Sequence, residues 1–477
     1  MTELPKGWAL ATVNDLIGSN GLFVDGDWVE SKDQDPGGEV RLTQLADVGE
    51  GQWRNRSDRY LTAPTADQLG CSYLEVDDVL VARMPDPLGR ACLFPGDPRP
   101  CVTVVDVAIV RPGPDSVRPR WLMWAINSPA IRAAIEAQQA GTTRKRISRK
   151  NLGQVEVQVP PLAEQERIVT AIEEAFSKLD AGEAGLRTVR QLLKRMRDAI
   201  LTAAVTGRLV PQDPTDTPAA KLLADLGAES IAEPEGEVVP EGWAWALLGS
   251  VSAIGGGIQK QPKRNPVRNR APFLRVANVG RGKLDLSDVH EIEVFDGELD
   301  RHGLVAGDLL VVEGNGSPDQ IGRSALWRGE IAPCVHQNHL IRVRPGLALE
   351  PSYLELYWNS PAAAQRVQSV ASSTSGLHTL STGKLKILPV VVPPLKEQKR
   401  IVAEVERQLS FVEACERAVD VGLARSAGLR RSVLKAAFEG RLVPQDPSDE
   451  AASVLLDRIR AERAAQSVAK RRARQTA

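Results

Sequence analysis

At 477 residues the chain is too long for one hydrophobic core, and its length sets a prior of roughly three or four compact units. Its 42% hydrophobic and 25% charged residues are ordinary for a globular protein, and a net charge of −1 means that any nucleic-acid contact must rest on local patches. Five cysteines (Cys71, Cys92, Cys101, Cys334, Cys415), odd in number and without a C-x-x-C pair, argue against a disulfide framework and against a zinc site. The start, MTELPKGW, carries no apolar signal segment and no long apolar run follows, so a cytoplasmic chain with no membrane contact is expected.

The first 160 residues alternate short apolar runs with Pro and Gly. CVTVVDVAIV, from Cys101 to Val110, predicts a strand. RWLMWAINSPAIRAAIEAQQ predicts two short helices broken at Pro129. GTTRKRISRK, from Gly141 to Lys150, then packs five basic residues with no acid. From Ile168 apolar residues step by four and three through Ile172, Ala175, Leu179, Leu186, Val189, Leu193, Met196, Ile200 and Ala203, and only Gly182 interrupts the seam. This predicts a helix of about 45 residues, roughly 68 Å long. Gly207 stops it, and the Pro and Asp residues of GRLVPQDPTD forbid continuation.

After a polar linker, Glu229 to Pro240, the pattern starts again. LPKGWALATV answers VPEGWAWALL, LADVGEG answers VANVGRG, VDDVLVAR answers AGDLLVVE, GRACLF answers GRSALW, and NSPA occurs in both halves. PPLAEQERIV at Pro160 answers PPLKEQKRIV at Pro393, and GRLVPQDPTD answers GRLVPQDPSD at Gly440. The step from Pro160 to Pro393 equals that from Gly207 to Gly440, so the two helical segments have the same length. The second seam, Ile401, Val405, Val412, Val419, Leu429 and Val433, is weaker, with Gln408 and Ser426 on it. One such helix reads as an ordinary amphipathic helix; two of equal length read as a pair.

No phosphate-binding G-x-x-x-x-G-K-[ST], no G-x-S-x-G and no adenine-methyltransferase motif of Asn or Asp before Pro-Pro and an aromatic occurs. His336 and His339 have only Cys334 nearby, and metal binding is not expected. A second acid-free run, Lys260 to Lys283, holds eight basic residues. Each run reads either as a solvated face or as a phosphate contact, and one in each half favours the latter. Basic runs position DNA but carry no sequence information; that needs Arg, Asn or Gln on a rigid frame. EGNGSPDQIGR and CVHQNHL offer Asn315, Gln320, Arg323, Gln337 and Asn338, where the first half has ARMPDPLGR and CVTVVDV.

PPLAEQERIV, the heptad helix, GRLVPQDP and the openings GWALATV and GWAWALL together resemble the specificity (S) subunit of type I restriction-modification enzymes. The resemblance covers nearly the whole chain except the tail after about Ala461, ending AKRRARQTA. It implies an α+β fold in which two globular α/β target-recognition domains are separated by two long helices forming an antiparallel coiled coil, a pseudo-twofold repeat. The implied order is recognition domain 1–160, central helical region 161–228, recognition domain 229–393, distal helical region 394–460 and basic tail 461–477. It implies a DNA-binding chain with no catalytic residue and no metal of its own. Each domain would read half of a bipartite double-stranded target, and the helices would set the spacing and dock two methyltransferase subunits. Restriction subunits would join that core, with S-adenosylmethionine, ATP and magnesium held by the partners.

Candidate DNA contacts are Arg83, Arg90, Arg144, Lys145, Arg146, Arg149 and Lys150 in the first half. In the second they are Lys260, Lys263, Arg264, Arg268, Arg270, Asn315, Arg323, Gln337 and Asn338. The alternatives are a stand-alone methyltransferase or nuclease, with Asp35, Glu39 and the carboxylates after Val76 as metal ligands, or an S-like part of a fused single-component system.

Overall fold

The computed structural model describes residues 4–141, 145–234, 236–314, 320–371 and 379–476. The chain divides into two units, Met1–Leu186 with Val421–Ala477, and Arg187–Asp420. The division falls inside two helices, Leu162–Val205 and Leu395–Phe438, each of 44 residues. Each unit therefore holds the first part of one long helix and the last part of the other.

In the first unit, strand Ala9–Thr12 pairs antiparallel with Glu156–Val159, the strand that leads into the first long helix. An antiparallel four-stranded sheet has the order Leu22–Asp25, Val107–Arg111, Val79–Ala82, Ala91–Leu93. Its side chains alternate between two cores, as a strand's period of two requires. Val79 and Val81 join Trp121, Leu122 and Ile126, whereas Leu80 and Ala82 join Val48, Leu74 and Phe94. A three-stranded sheet, Tyr60–Leu61, Val40–Thr43, Cys101–Thr103, lies alongside in sequence. The run from Cys101 to Val110, expected as one strand, is two strands in different sheets, because the chain turns at Val104, whose carbonyl accepts from Val107 N. Helices Pro119–Asn127 and Pro129–Ala137 each open on a proline, with the extended Ser128 between them.

The second unit repeats this order. Ala244–Leu247 pairs with Pro389–Val392, and the four-stranded sheet runs Ser252–Gly256, Leu340–Pro345, Leu309–Val312, Ser324–Leu326. The three-stranded sheet is His290–Glu293, Arg270–Leu274, Val335–His336. Helices Pro351–Trp358 and Pro361–Ala371 follow. The expected linker is partly built into this unit: Ser230–Ile231 adds a strand to Ala244–Leu247, with Ile231 opposite Trp245.

The long helices pair antiparallel within each unit. In the first, Ile168, Ile172 and Phe176 share a core with Leu434, Ala437 and Phe438. Arg430 Nη2 reaches Asp180 at 2.6 Å and Glu183 at 3.1 Å, Ser426 Oγ donates to Glu183 at 2.7 Å, and Leu186 packs on Gly422. In the second unit, Arg197 pairs with Glu416 at 3.2 Å and Arg190 with Asp420. The seam residues Ile168, Ile172, Leu193, Ile200, Ile401, Val405, Val412 and Val419 are buried, and Leu179, Leu186 and Val433 are half-buried. Val189, Met196 and Leu429 are not on the seam; they are 41%, 41% and 43% exposed. Past Gly182 the facing positions are Glu183, Arg190 and Arg197, long side chains whose charged ends pair across the seam. A search for apolar period picks the apolar neighbour one residue away.

The repeated motifs meet in one clasp per unit. The turn that ends one long helix packs on the first turn of the other. In the first unit, Gln445 Nε2 donates to Gly440 O at 2.7 Å and to Glu164 Oε1 at 3.3 Å, Trp8 Nε1 donates to Glu164 Oε2 at 3.1 Å, and Arg167 pairs with Asp449 at 2.6 Å. In the second, Gln212 Nε2 donates to Gly207 O at 2.7 Å and Glu397 Oε1 at 3.2 Å, and Arg400 pairs with Asp216 at 2.7 Å. Trp243 approaches Glu397 without the hydrogen-bond geometry of Trp8. Burial raises both glutamates above the usual carboxylate range. Gly207 and Gly440 take φ of 71° and 67°, and a Cβ at either would strike Pro240 or Pro5 of the P-x-G-W segments. Gln165 and Gln398, both fully buried, close the clasp by donating to Pro160 O at 3.0 Å and Pro393 O at 2.9 Å.

Candidate nucleic-acid interface

Exposed cations lie at residues 145–150 of the first unit and 260–270 of the second. In the first, the chain after the second short helix returns through a bridge in which Arg146 and Ala140 exchange backbone hydrogen bonds of 2.9 Å, and Ile147 N donates to Arg83 O at 3.1 Å. This presents Lys145, Arg146 and Lys150 to solvent with no side-chain partner among the described residues. Arg149 is exposed too, with its Nε 4.0 Å from Asp25. Arg144 lies outside the described residues.

Arg83 and Arg90 are not surface cations open to DNA: they are 6% and 4% exposed and hold their own unit together. Arg83 pairs with Asp25. Arg90 donates to Val48 O at 2.7 Å, Leu45 O at 2.8 Å and Pro87 O at 2.9 Å. Arg323 does the same in the second unit, donating to Val279 O at 2.7 Å and Val276 O at 2.9 Å. The repeated Gly-Arg thus braces the repeated turn, LADVGEG in one unit and VANVGRG in the other. A buried guanidinium meets several carbonyls at once with its planar fork.

In the second unit, Lys260, Lys263 and Arg268 are exposed and have no side-chain partner among the described residues. Arg270 is exposed, 3.8 Å from Glu291. Arg264 is committed elsewhere: both its Nη atoms meet Glu298, at 2.7 and 2.8 Å, over the Phe295 ring, and they hold that carboxyl down at about 2. Gln337 and Asn338 follow the strand Val335–His336 and dock on the start of the Lys260 loop, with Asn338 N donating to Ile258 O at 3.0 Å. Their side chains are half-exposed and make no hydrogen bond among the described residues. Gly257 lets this approach happen, since a Cβ there would lie 2.2 Å from His336 O. Asn315 lies outside the described residues.

The equivalent place in the first unit is occupied differently. Val105 N donates to Asp27 O at 2.9 Å, the counterpart of the Asn338 contact, so Val104 and Val105 stand where Gln337 and Asn338 do. Beside them opens a cleft of about 800 Å3 whose lining includes Trp28, Glu30, Gln44, Met84, Asp106 and Arg146. Trp28 is 69% exposed. It was missed in sequence; the available signal was a tryptophan set among polar residues in VDGDWVES. Burial raises the Asp27 carboxyl that lines it and, with Asp27 itself, pushes the nearby Cys71 thiol up to about 12.

The carboxylates considered as metal ligands serve the fold. Asp35 accepts from Gly37 N at 2.8 Å, Glu39 from Ala63 N at 2.9 Å, and Asp78 is buried against Arg111. His339 meets Glu313 at 3.0 Å, and no group of three metal-ligating side chains occurs among the described residues. No helix among them is long and apolar enough to cross a membrane.

Known proteins share this architecture. No protein-family model matches the chain. It is 30% identical over 351 residues to the EcoKI specificity subunit of Escherichia coli K12, a type I restriction enzyme component, covering 71% of this chain and 70% of that one. It is 30% identical over 352 residues to the EcoBI specificity subunit of Escherichia coli, with 71% and 70% covered, and 27% identical over 360 residues to the StySPI specificity subunit of Salmonella potsdam, with 73% and 72% covered. A chain solved in a study of complex assembly and conformational transition of the type I R-M system has the same fold, with a TM-score of 0.66 at 20% identity over 92% of this chain and all of that one. A duplicated scaffold with one clasp per unit and 30% identity over most of both chains has one reading: this chain belongs to the family of type I restriction enzyme specificity subunits.

Proposed function

We propose that the chain is the DNA-recognition subunit of a type I restriction-modification complex. The globular segments 1–160 and 229–393 each bind one half of a bipartite duplex target. The paired helices set the gap between the halves and dock two methyltransferase subunits, which restriction subunits join. The chain is non-catalytic: methyl transfer from S-adenosylmethionine and the ATP- and magnesium-dependent steps belong to those partners. One observation carries the reading. A scaffold whose backbone hydrogen bonds repeat at this place bears Gln337 and Asn338 in one unit and Val104 and Val105, beside Trp28, in the other. Repetition of the frame with replacement of the polar groups on it is what two modules reading different sequences require, because Asn and Gln recognise an adenine edge in two places and valine offers only apolar contact.

The test exchanges Glu229 to Pro393 for the same segment of a related subunit. Methylome sequencing of cells carrying the hybrid is expected to show one half of the methylated sequence changed and the other kept. An active hybrid that alters both halves, or neither, overturns the modular reading.

A further inference from the structure

The two units differ where each decapeptide ends. After the first, the chain forms a helix of only 7 residues, Ala219–Asp225. After the second it forms one of 25 residues, Ala452–Thr476, whose last turns lie in the tail beyond the family resemblance. The extra length is used. Arg463 Nη1 donates to Asn14 O at 2.8 Å, Gln466 Nε2 to Asn20 Oδ1 at 3.0 Å, and Glu462 accepts from Ser19 at 3.3 Å, so the added turns dock on the start of the first unit.

This docking completes a cleft of about 440 Å3 lined by Asn14, Ile17, Phe23, Arg149, Lys150 and Arg463. Three cations border it, and the nearby acids are engaged. Asp25 pairs with Arg83 and lies 4.0 Å from Arg149, and Asp15, which also feels the charge of Arg463, accepts from Thr12 N at 2.9 Å and Thr12 Oγ1 at 2.7 Å. Arg149 also donates to Phe23 O at 3.4 Å through Nη1 and has its Nε 4.0 Å from Asp25, so its exposed guanidinium is held only at long range. At the equivalent of Arg149 and Lys150 the second unit has Thr382 and Gly383, so the cleft is not part of the repeat. Beyond Glu462 the sequence has no acid and adds Lys470, Arg471, Arg472 and Arg474. A single small anion has no use for further basic residues in the sequence; a polyanion does.

We propose that the C-terminal helix is a third DNA-contacting element, which clamps a backbone phosphate of the duplex between Arg463 and the Arg149–Lys150 pair. The proposal rests on the recognition reading above and adds to it a contact that carries no sequence information. The experiment measures binding of the full chain, with any subunits that co-purify, to duplex DNA over a range of salt concentrations. Arg463→Ala is expected to flatten the slope of log K against log salt by about 0.9, the value for one lost phosphate contact, and Arg463→Lys to retain it. The Lys variant separates charge from the structural bond to Asn14, and thermal unfolding checks that each variant is folded. An unchanged slope in a folded Arg463→Ala variant overturns the proposal. So does saturable binding of inorganic phosphate, by calorimetry, that Arg463→Ala abolishes while the DNA slope stays as it was; that outcome assigns the cleft to a free anion. If the unaltered chain fails to bind duplex at all, the recognition reading falls and takes this one with it. Binding intact with the slope unmoved removes this one alone.

Discussion

His336 allows a quantitative test of the frame that carries Gln337 and Asn338. Its Nδ1 lies 3.0 Å from Leu340 O and donates there, while Nε2 is buried with no partner among the described residues. Burial, with Arg342 and His302 nearby, depresses its pKa from 6.5 to about 4. In the unfolded chain the ring takes a proton as pH falls through about 6.5; in the folded chain it refuses one until about 4. The unfolded state therefore binds more protons across that window, so the second unit keeps its full stability above pH 6.5 and loses it as pH falls. At about 1.36 kcal/mol per pKa unit the loss approaches about 3 kcal/mol at pH 4. His336→Gln retains a donor for Leu340 O and removes the titration. Urea unfolding followed by the fluorescence of the buried Trp327 and Trp358 at pH 7, 5.5 and 4 is the assay. The variant is expected to be less stable than the parent at pH 7, with the gap narrowing by up to about 3 kcal/mol at pH 4; carboxylates titrating in both proteins cancel in the comparison. Parallel pH profiles would refute the argument, because they would mean that the ring is reached by water in the folded state.

Two further expectations separate surface cations from buried ones. Changing both Lys145 and Arg146 to Ala should flatten the salt dependence of duplex binding by up to about 0.9 per lost phosphate contact and leave thermal stability unaltered; wild-type affinity and slope would show that this run merely faces solvent. Arg90→Ala or Arg323→Ala should do the reverse, removing several bonds from a charged donor and costing its unit about 2–4 kcal/mol in chemical denaturation with no change of slope; a stable variant with a flatter slope would return these residues to the interface.

The parts legible in sequence were those in which one physical requirement dictates several residues at once. Two long helices of equal length announce themselves through spacing, and glycine at Gly207 and Gly440 through what must follow a helix end. The failures share a cause: residue type was taken for residue role. Arg90 and Arg323 are cations of the same chemistry as Lys145 and Lys260, and only the fold shows that backbone carbonyls surround the first two. The glycine before each arginine, repeated in both halves, was already a sign of structural duty, since a base-reading residue would differ between halves. Val189 and Met196 failed for a related reason, because Glu183, Arg190 and Arg197 alternate with Leu186, Leu193 and Ile200 on the seam and give no apolar signal at their own places. Trp28 left no periodic trace at all, and its exposure follows from the bridge between Asp27 and Val104, a contact distant in sequence.

Antiparallel helices explain why the decapeptide occurs twice and why its one substitution is silent. When two helices run in opposite directions, each end meets the other's beginning, so a turn suited to one start is needed at both ends, and Glu164 with Gln445 must be matched by Glu397 with Gln212. The Thr-to-Ser change falls at Thr215 and Ser448. Thr215 donates to Asp213 Oδ1 through its amide at 2.9 Å and its hydroxyl at 2.7 Å, and Ser448 donates to Asp446 Oδ1 at the same two distances. Only the hydroxyl and the amide are bonded in that turn, and Thr215 and Ser448 are both exposed. Replacing Gln337 and Asn338 by Val104 and Val105 on an equally preserved backbone exchanges hydrogen-bonding side chains for apolar ones at that place. The same chain thus holds fixed the atoms that join its own parts and varies the atoms it turns outward. That is the division expected when assembly must be common to both halves and the sequence read must not be.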